Sequence, residues 1–461
     1  MDGLDTAQVE ALGEMFAGKN VFLSGTGGTG KSVVIRFFLE NCRKNIVCVA
    51  PTGLAAMNLP DAMTIHSFFK FPIDEIMLDV DDIPTDRRLA ELLHHTDCIV
   101  IDEISMVRAD IFNALEISLR VNGGTTDRPF GGKQIIVVGD FLQLPPVITD
   151  EAVYTVLNER FGGVYAFSTK AWREAFFRNI YLSKIHRQRD CQWVTCLEMI
   201  RLRLPGVKAM LEANPIPVCT TPKNGIALCC RRGEAEKIND MEMKKLNTPG
   251  IVTHGEIVDV FPVHELPVPP TMTLKIGSRV VVVCNGKRQK MPGRLAYEYV
   301  NGEIGTICGF DPVREIVCLK MDNGRHIKVK KSQWSNIQYE LGKDEDGEII
   351  ITSKEIGSYR QYPLLPAWAM SIHKAQGQTL DCRTHIVLGH GGCFAPGQLY
   401  TALSRVRNFS DLSVDRPIKY ADIIVDSMVL DFLFRTFPDV FDFSDGGVRI
   451  LPMLASRESL I

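Results

Sequence analysis

The octapeptide GTGGTGKS at residues 25–32 fits the spacing G-x-x-x-x-G-K-[ST], with an apolar run before it and an amphipathic stretch after it. Gly25, Gly27, Gly28 and Gly30 let backbone N–H groups curl around phosphate oxygens, with Thr26 and Thr29 in the same cradle. Lys31 is placed to reach the β- and γ-phosphates and Ser32 to hold Mg²⁺, so the chemistry is the gripping of ATP or a similar triphosphate. At 98–105, CIVIDEIS sets Asp102 and Glu103 just past a buried strand. Hydrolysis wants one carboxylate on the metal, here Asp102, and one near the attacking water, here Glu103. Alone the two would read as surface acids at a strand end; beside a phosphate loop they read as catalytic. Gln143 in GDFLQLPPV offers a neutral amide to the γ-phosphate or the water. An arginine should neutralise transition-state charge, and the candidates are Arg187 in SKIHRQRD and Arg405 in YTALSRVR. For either alone, a surface salt bridge is the commoner role.

Buried parallel strands must position these groups. NVFL (20–23), NIVCVA (45–50), DCIVIDE (97–103) and KQIIVVGD (133–140) read as such strands, each ending in a polar or Gly-rich turn. With amphipathic segments between them, the pattern is α/β and doubly wound. Between 250 and 360 the texture changes to short β-rich runs parted by Gly and Asn/Asp-Gly turns, which predicts a small antiparallel barrel. THIVLGH (384–390) returns to the α/β pattern, so the barrel reads as an insertion in a second α/β domain. Both candidate arginines fall in that second domain, which puts the nucleotide at a seam whose closing assembles the catalyst. The stretch 73–86 holds six acidic residues and no basic one; it reads either as a protrusion or as a solvated surface loop.

The composition narrows the class. The chain has 461 residues, too many for one core, and a formal net charge of −3. Binding nucleic acid through bulk charge is excluded, and any such site must be a local groove. GKRQKMPGR (286–294) and GRHIKVKK (324–331) could form one, or could be a solvated barrel face. The 13 cysteines show no C-x-x-C pair, which argues against a zinc site or a disulfide framework and for a reducing, intracellular compartment. No apolar run approaches the length of a membrane span, and the first residues lack a secretory h-region.

APTGLAAMN (50–58), TIHSFF (64–69), IDEISM (101–106), RPFGGKQIIVVGDFLQLPPV (128–147), AWAMSIHKAQGQTLD (367–381) and YTALSRVR (400–407) occur in that order. Together they resemble the ordered motifs of the PIF-one family of superfamily 1 DNA helicases, a scheme shared in large part by phage Dda and RecD-like helicases. The resemblance spans residues 5 to 415. It implies two RecA-like domains, 1–62 with 88–185 and 186–270 with 360–436. It further implies a wedge insertion at 63–87, an SH3-like barrel at 271–359 and a tail at 437–461. By the same resemblance Gln8 reads the adenine edge, and Thr52, Gly53 and His66 touch single-stranded DNA from the first domain. Ser371, His373 and Lys374 do so from the second. Gln376 and Gly377 couple that contact to the nucleotide, and Asn301 lines the same track. Phe68 would support base stacking or lie in the core beneath the strand, and either histidine could instead be structural. The implied activity is an ATP- and Mg²⁺-dependent monomeric helicase moving 5′-to-3′ on single-stranded DNA and opening forked or tailed duplex, in replication, repair or recombination. The polarity comes from the resemblance alone. A translocase that strips proteins without unwinding, and an ATP-gated scaffold, are the other readings. Two departures stand out: the acidic 73–86 stretch, and NLPDAM lacking a glycine before TIHSFF.

Overall fold

The computed structural model describes residues 3–72, 76–188, 190–220, 225–291, 294–344, 347–380, 382–442 and 449–450; side chains at 54, 264, 288–297, 442 and 449–450 lie outside the description. The chain forms two compact units. Unit 1 comprises Met1–Arg187, Ile337–Lys354 and Val425–Ile461; unit 2 comprises Gln188–Asn336 and Glu355–Ile424.

Unit 1 is built on six parallel strands: β1 (Val21–Gly25), β2 (Ile46–Ala50), β3 (Met63–Thr64), β4 (Cys98–Ile101), β5 (Gln134–Val138) and β6 (Arg178–Leu182). They lie in the order β3-β2-β4-β5-β1-β6. Four of them are the runs predicted from apolar continuity, and β1, β4 and β5 are buried along their whole length. Helices α1 (Thr6–Phe16), α2 (Lys31–Asn41), α3 (Gly53–Ala56), α4 (Ile65–Phe69) and α5 (Arg87–His95) connect or flank them. Phe22, Phe141, Phe167, Trp172 and Phe432 form an aromatic cluster, with Phe167 and Phe432 stacked at 4.1 Å. Phe432 comes from the helix Ser427–Thr436. The family resemblance implies the second α/β domain for this helix, within 360–436; its aromatic face draws it into unit 1 instead.

The segment expected as a wedge is partly woven into the sheet. Met63 and Thr64 pair with Val49 and Ala50, and Thr64 then caps α4 through a bond from Ser67 N. The acidic stretch satisfies backbone groups rather than lying free. Asp82 accepts from Leu78 N and Asp79 N, Asp86 caps α5 at Leu89 N, and Asp79 pairs with Arg160. Met77 and Ile83 are buried within it; residues 73–75 lie outside the described residues.

Residues 337–354 also belong to unit 1. Tyr339 is buried, its hydroxyl donating to the Asp61 carbonyl and accepting from Cys48 N, and its ring meets Phe68 edge-on at 5.7 Å. Asn45 acts like a short strand here: its Nδ2 donates to Ile349 O at 3.2 Å and its Oδ1 accepts from Ile351 N at 2.8 Å.

In unit 2, chain order gives β7 (Ile226–Cys229), β8 (Arg279–Val282), β9 (Ile304–Asp311), β10 (Ile316–Met321), β11 (His326–Lys330), β12 (Leu364–Pro366), β13 (Ala369–Ser371), β14 (Thr384–Val387) and β15 (Leu412–Val414). A parallel sheet runs β13-β7-β14-β15, and an antiparallel one runs β11-β10-β9-β8-β12. Because β7 and β13 are neighbours in the parallel sheet, the all-β stretch is an insertion between adjacent strands, as the change of texture predicted.

Candidate functional site

The phosphate loop bridges β1 and α2. Gly30 has φ +85, a left-handed conformation that favours glycine, and a Cβ there would lie 2.6 Å from Gln8 Nε2. Gln8 therefore reaches the loop and donates to Thr29 O at 3.1 Å. Its Oε1 accepts from Asp5 N at 3.0 Å, while Asp5 Oδ1 accepts from Gln8 N, a reciprocal cap at the start of α1. Gln8 is buried with Nε2 and Oε1 each making a bond inside the chain, so it braces the loop. Lys31 Nζ donates to Gly25 O at 2.8 Å and Thr26 O at 3.0 Å.

After β6 the chain passes the loop again: His186 N donates to Gly28 O at 2.9 Å and its Nε2 lies 3.2 Å from Asp5 Oδ2. Arg187 is the next residue, so a candidate finger is tethered one peptide from the loop. It closes unit 1 rather than lying in the second α/β domain, because β6 is a strand of the first sheet.

Asp102 sits at the end of β4, buried, with Oδ1 accepting from Glu103 N at 2.9 Å. Burial first, and then the Glu103 carboxylate, push its pKa up to about 7, against the lowering influence of that amide bond, Lys31 and Arg36. Glu103 has φ 49 and ψ 46, a left-handed conformation costing a non-glycine residue about 1 kcal/mol or more. Gly139, at the end of β5, lets this turn approach: a Cβ there would lie 3.0 Å from Ile104 N. Gln143 is buried in the following turn, its N bonded to Asp140 O. The Ser24, Thr26 and Ser105 hydroxyls are buried without a hydrogen-bond partner among the described residues. Asp102 and Ser32 carry oxygen donors, the type a hard cation takes. Among the described residues no group of three His, Cys, Asp or Glu side chains is placed to hold a metal.

Thr52 caps α3, its Oγ1 accepting from Ala55 N at 3.2 Å, and Gly53 opens that helix. His66 is half-buried on α4. Phe68 is 4% exposed and packs against Phe69 and Tyr339, so it is a core residue here and offers no stacking platform. In unit 2, Ser371 repeats the Thr52 geometry. It caps the helix Ile372–Ala375 by accepting from Lys374 N at 3.4 Å. Lys374 is exposed, and His373 is half-buried with its pKa lowered by burial, hence neutral at pH 7. Gln376 ends that helix and Gly377 follows with φ +77. Asn301 and Thr379 line one cavity, and a Cβ on Gly302 would lie 3.4 Å from Thr379 O, so Asn301 is beside the loop that follows this motif. Arg405 is 1% exposed: Nε donates to Thr401 O, Nη1 to Gln378 O and Nη2 to Ser404 Oγ. Its guanidinium ties the Gln378 turn to the helix Gln398–Leu403 within unit 2.

A family model described as PIF1-like helicase matches residues 7–196. The ATP-dependent DNA helicase PIF1 of Danio rerio is 32% identical over 424 residues, covering 89% of this chain and 61% of that protein. A crystal structure of Bacteroides sp. Pif1 in complex with ADP-AlF4 superposes with a TM-score of 0.81 at 30% identity, covering 96% of this chain and 98% of that one. The chain belongs to the PIF1-like helicase family. A Bacteroides Pif1 bound to single-stranded DNA superposes with a TM-score of 0.66 at 31% identity, over 95% of this chain and 97% of that one. The chain spans about three fifths of the length of the first curated relatives it matches.

For a PIF1-like helicase the ordered motifs are legible in the sequence, but the parts of Asp5, His186 and Ser105 are not. Asp5 had a signal, since D-x-x-Q before an apolar run marks a capping box. Ser105 lay inside IDEISM, and only its orphaned hydroxyl distinguishes it. Among the described residues no helix is long and apolar enough to cross a membrane.

Proposed function

We propose that this chain is an ATP-dependent DNA helicase that translocates 5′-to-3′ along single-stranded DNA as a monomer and opens tailed or forked duplex. The observation that carries the reading is the convergence on one loop of Lys31, the Gln8 brace and the His186–Arg187 segment, at the end of β1 two strands from Asp102. In this reading Lys31 holds the β- and γ-phosphates, Glu103 accepts a proton from the attacking water, and Gln143 orients that water. Arg187 balances the charge that develops on the terminal phosphate. Ser32 and Asp102 would hold Mg²⁺, which polarises the phosphate oxygens when bound. Arg405 serves as a positioning residue for the Gln376–Gly377 turn, being buried and donating to Thr401, Gln378 and Ser404.

Single-stranded DNA is the proposed track. Thr52 and Ser371 both use their hydroxyl oxygen to accept an amide, which leaves each O–H to donate to a phosphate oxygen. Lys374 adds charge, while Gly53, His66, His373 and Asn301 add contacts independent of base identity. The relative whose structure holds single-stranded DNA supports this assignment. The test measures ATP hydrolysis with and without single strands, and strand displacement on 5′- and 3′-tailed duplexes. Large stimulation with displacement from the 5′ tail is the expected result. Stimulation without displacement would reassign the protein as a translocase, and no stimulation would remove the track.

A further inference from the structure

We propose that the outer face of the β10–β11 pair is a docking surface for the phosphate backbone of double-stranded DNA. The proposal rests on the helicase reading and adds the place where the duplex is held.

The two strands are antiparallel, with Lys320 opposite His326, Cys318 opposite Lys328 and Ile316 opposite Lys330. Strand alternation sends Ile327, Val329, Val317, Leu319 and Met321 to the inner face of the sheet, where all five are buried. It leaves Lys320, His326, Lys328 and Lys330 together on the other face, all four exposed. Among the described residues no carboxylate pairs with Lys320, Lys328 or Lys330, whereas the neighbouring Lys331 is held by Glu256 and Glu315. A chain of net charge −3 thus keeps three lysines uncompensated on one small face. Alternate residues along β11 are about 6.7 Å apart. Successive phosphates of one DNA strand rise about 3.4 Å along the axis and are further separated by the strand's winding, a spacing that neighbouring flexible lysine heads can reach.

The composition of the face favours duplex over single strand. Proteins that hold single strands add aromatic platforms for unstacked bases. This face carries no Phe, Tyr or Trp: its exposed positions are Lys320, His326, Lys328 and Lys330, with Cys318 half-buried and Ile316 buried. Cations without stacking groups read a backbone whose bases are already paired and stacked. A different role must be excluded by experiment, because β11 is the edge of its sheet and edge lysines also deter strand-to-strand aggregation.

The test compares the wild type, the triple variant Lys320→Gln/Lys328→Gln/Lys330→Gln and the corresponding triple Arg variant. Each is titrated with a blunt duplex and with a single strand of equal length at increasing potassium chloride. The Gln variant should bind duplex about tenfold or more weakly, with the slope of log K against log salt flatter by about 2 to 3. Its single-strand binding and DNA-stimulated ATPase should match wild type, and the Arg variant should restore the duplex slope. An unchanged duplex slope, or equal losses on both DNA forms, would overturn the proposal. So would self-association of the Gln variant with duplex binding intact, which would assign the lysines to edge protection. Failure of single strands to stimulate wild-type ATPase would instead sink the helicase reading, an outcome the duplex titration does not depend on.

Discussion

Asp102 is ionised at a cost, and the cost has a measurable sign. Its folded pKa of about 7 lies well above that of an unfolded aspartate, near 3.8. Below the unfolded value both states are protonated and the group is neutral to stability. As pH rises towards 7 the unfolded chain ionises first, so stability falls, and above 7 the penalty is constant. Asp102→Asn should therefore be more stable than wild type at pH 8 without metal, by on the order of 1 to 3 kcal/mol, with the gap closing near pH 4. Thermal melts in a chelator across that range check it; a constant gap would show that the carboxylate's burial is not its cause. The same variant should hydrolyse ATP very poorly, a separation of stability from activity that marks a functional carboxylate. Lys31→Ala should lower ATP turnover at least 10³-fold, on the order of losses at phosphoryl-transfer sites, with the fold retained by circular dichroism. Glu103→Gln should keep nucleotide affinity and lose turnover, which equilibrium binding beside steady-state hydrolysis separates. The lysine, both carboxylates and the glycines stand out as candidates in the sequence because each lies in a short local motif. The Asp5–His186 contact joins residues 181 positions apart, and spacing gives no hint of it.

At the scale of elements, what the sequence could convey depended on how much of an element's environment is local. Apolar continuity sufficed for β1, β2, β4 and β5, since a strand buried on both faces needs no alternation. TIHSFF was ambiguous, because Phe68 could face a ligand or the core and only the packing of α4 decides. Tyr339, 271 residues further on, covers that ring, so the side that looked free in the sequence is filled. Phe68→Ala should therefore cost about 3 to 5 kcal/mol of stability, a core truncation, and urea denaturation of the variant measures it. If the variant kept its midpoint and lost only DNA affinity, the stacking role would be restored. Tyr339→Phe should be milder, about 1 to 2 kcal/mol, since it leaves Cys48 N buried without its acceptor. The burial of Arg405 was equally invisible: YTALSRVR fixes where the arginine lies along the chain, and tertiary bonds to Gln378 and Thr401 decide where its guanidinium goes.

For the whole molecule, the sequence showed two α/β halves and an all-β insertion but not how the chain is shared between them. The helix Ser427–Thr436 and residues 337–354 count with unit 1 although both follow long stretches of unit 2. Aromatic stacking by Phe432 and the side-chain amide of Asn45 hold them there, contacts that no local pattern announces. The prediction at this scale is functional: single-stranded DNA of any sequence should stimulate ATP hydrolysis, because the proposed track residues are backbone readers, and homopolymers compared at equal nucleotide concentration check it. A strong preference for one base would point to a recognition pocket that the proposed residues do not supply. The backbone passes from one unit to the other four times, between 187 and 188, 336 and 337, 354 and 355, and 424 and 425. Neither half can therefore be cloned as one uninterrupted fragment. A single protease nick at any of those passages leaves both halves joined by peptide, so a clipped sample should fall into two polypeptides only after denaturation.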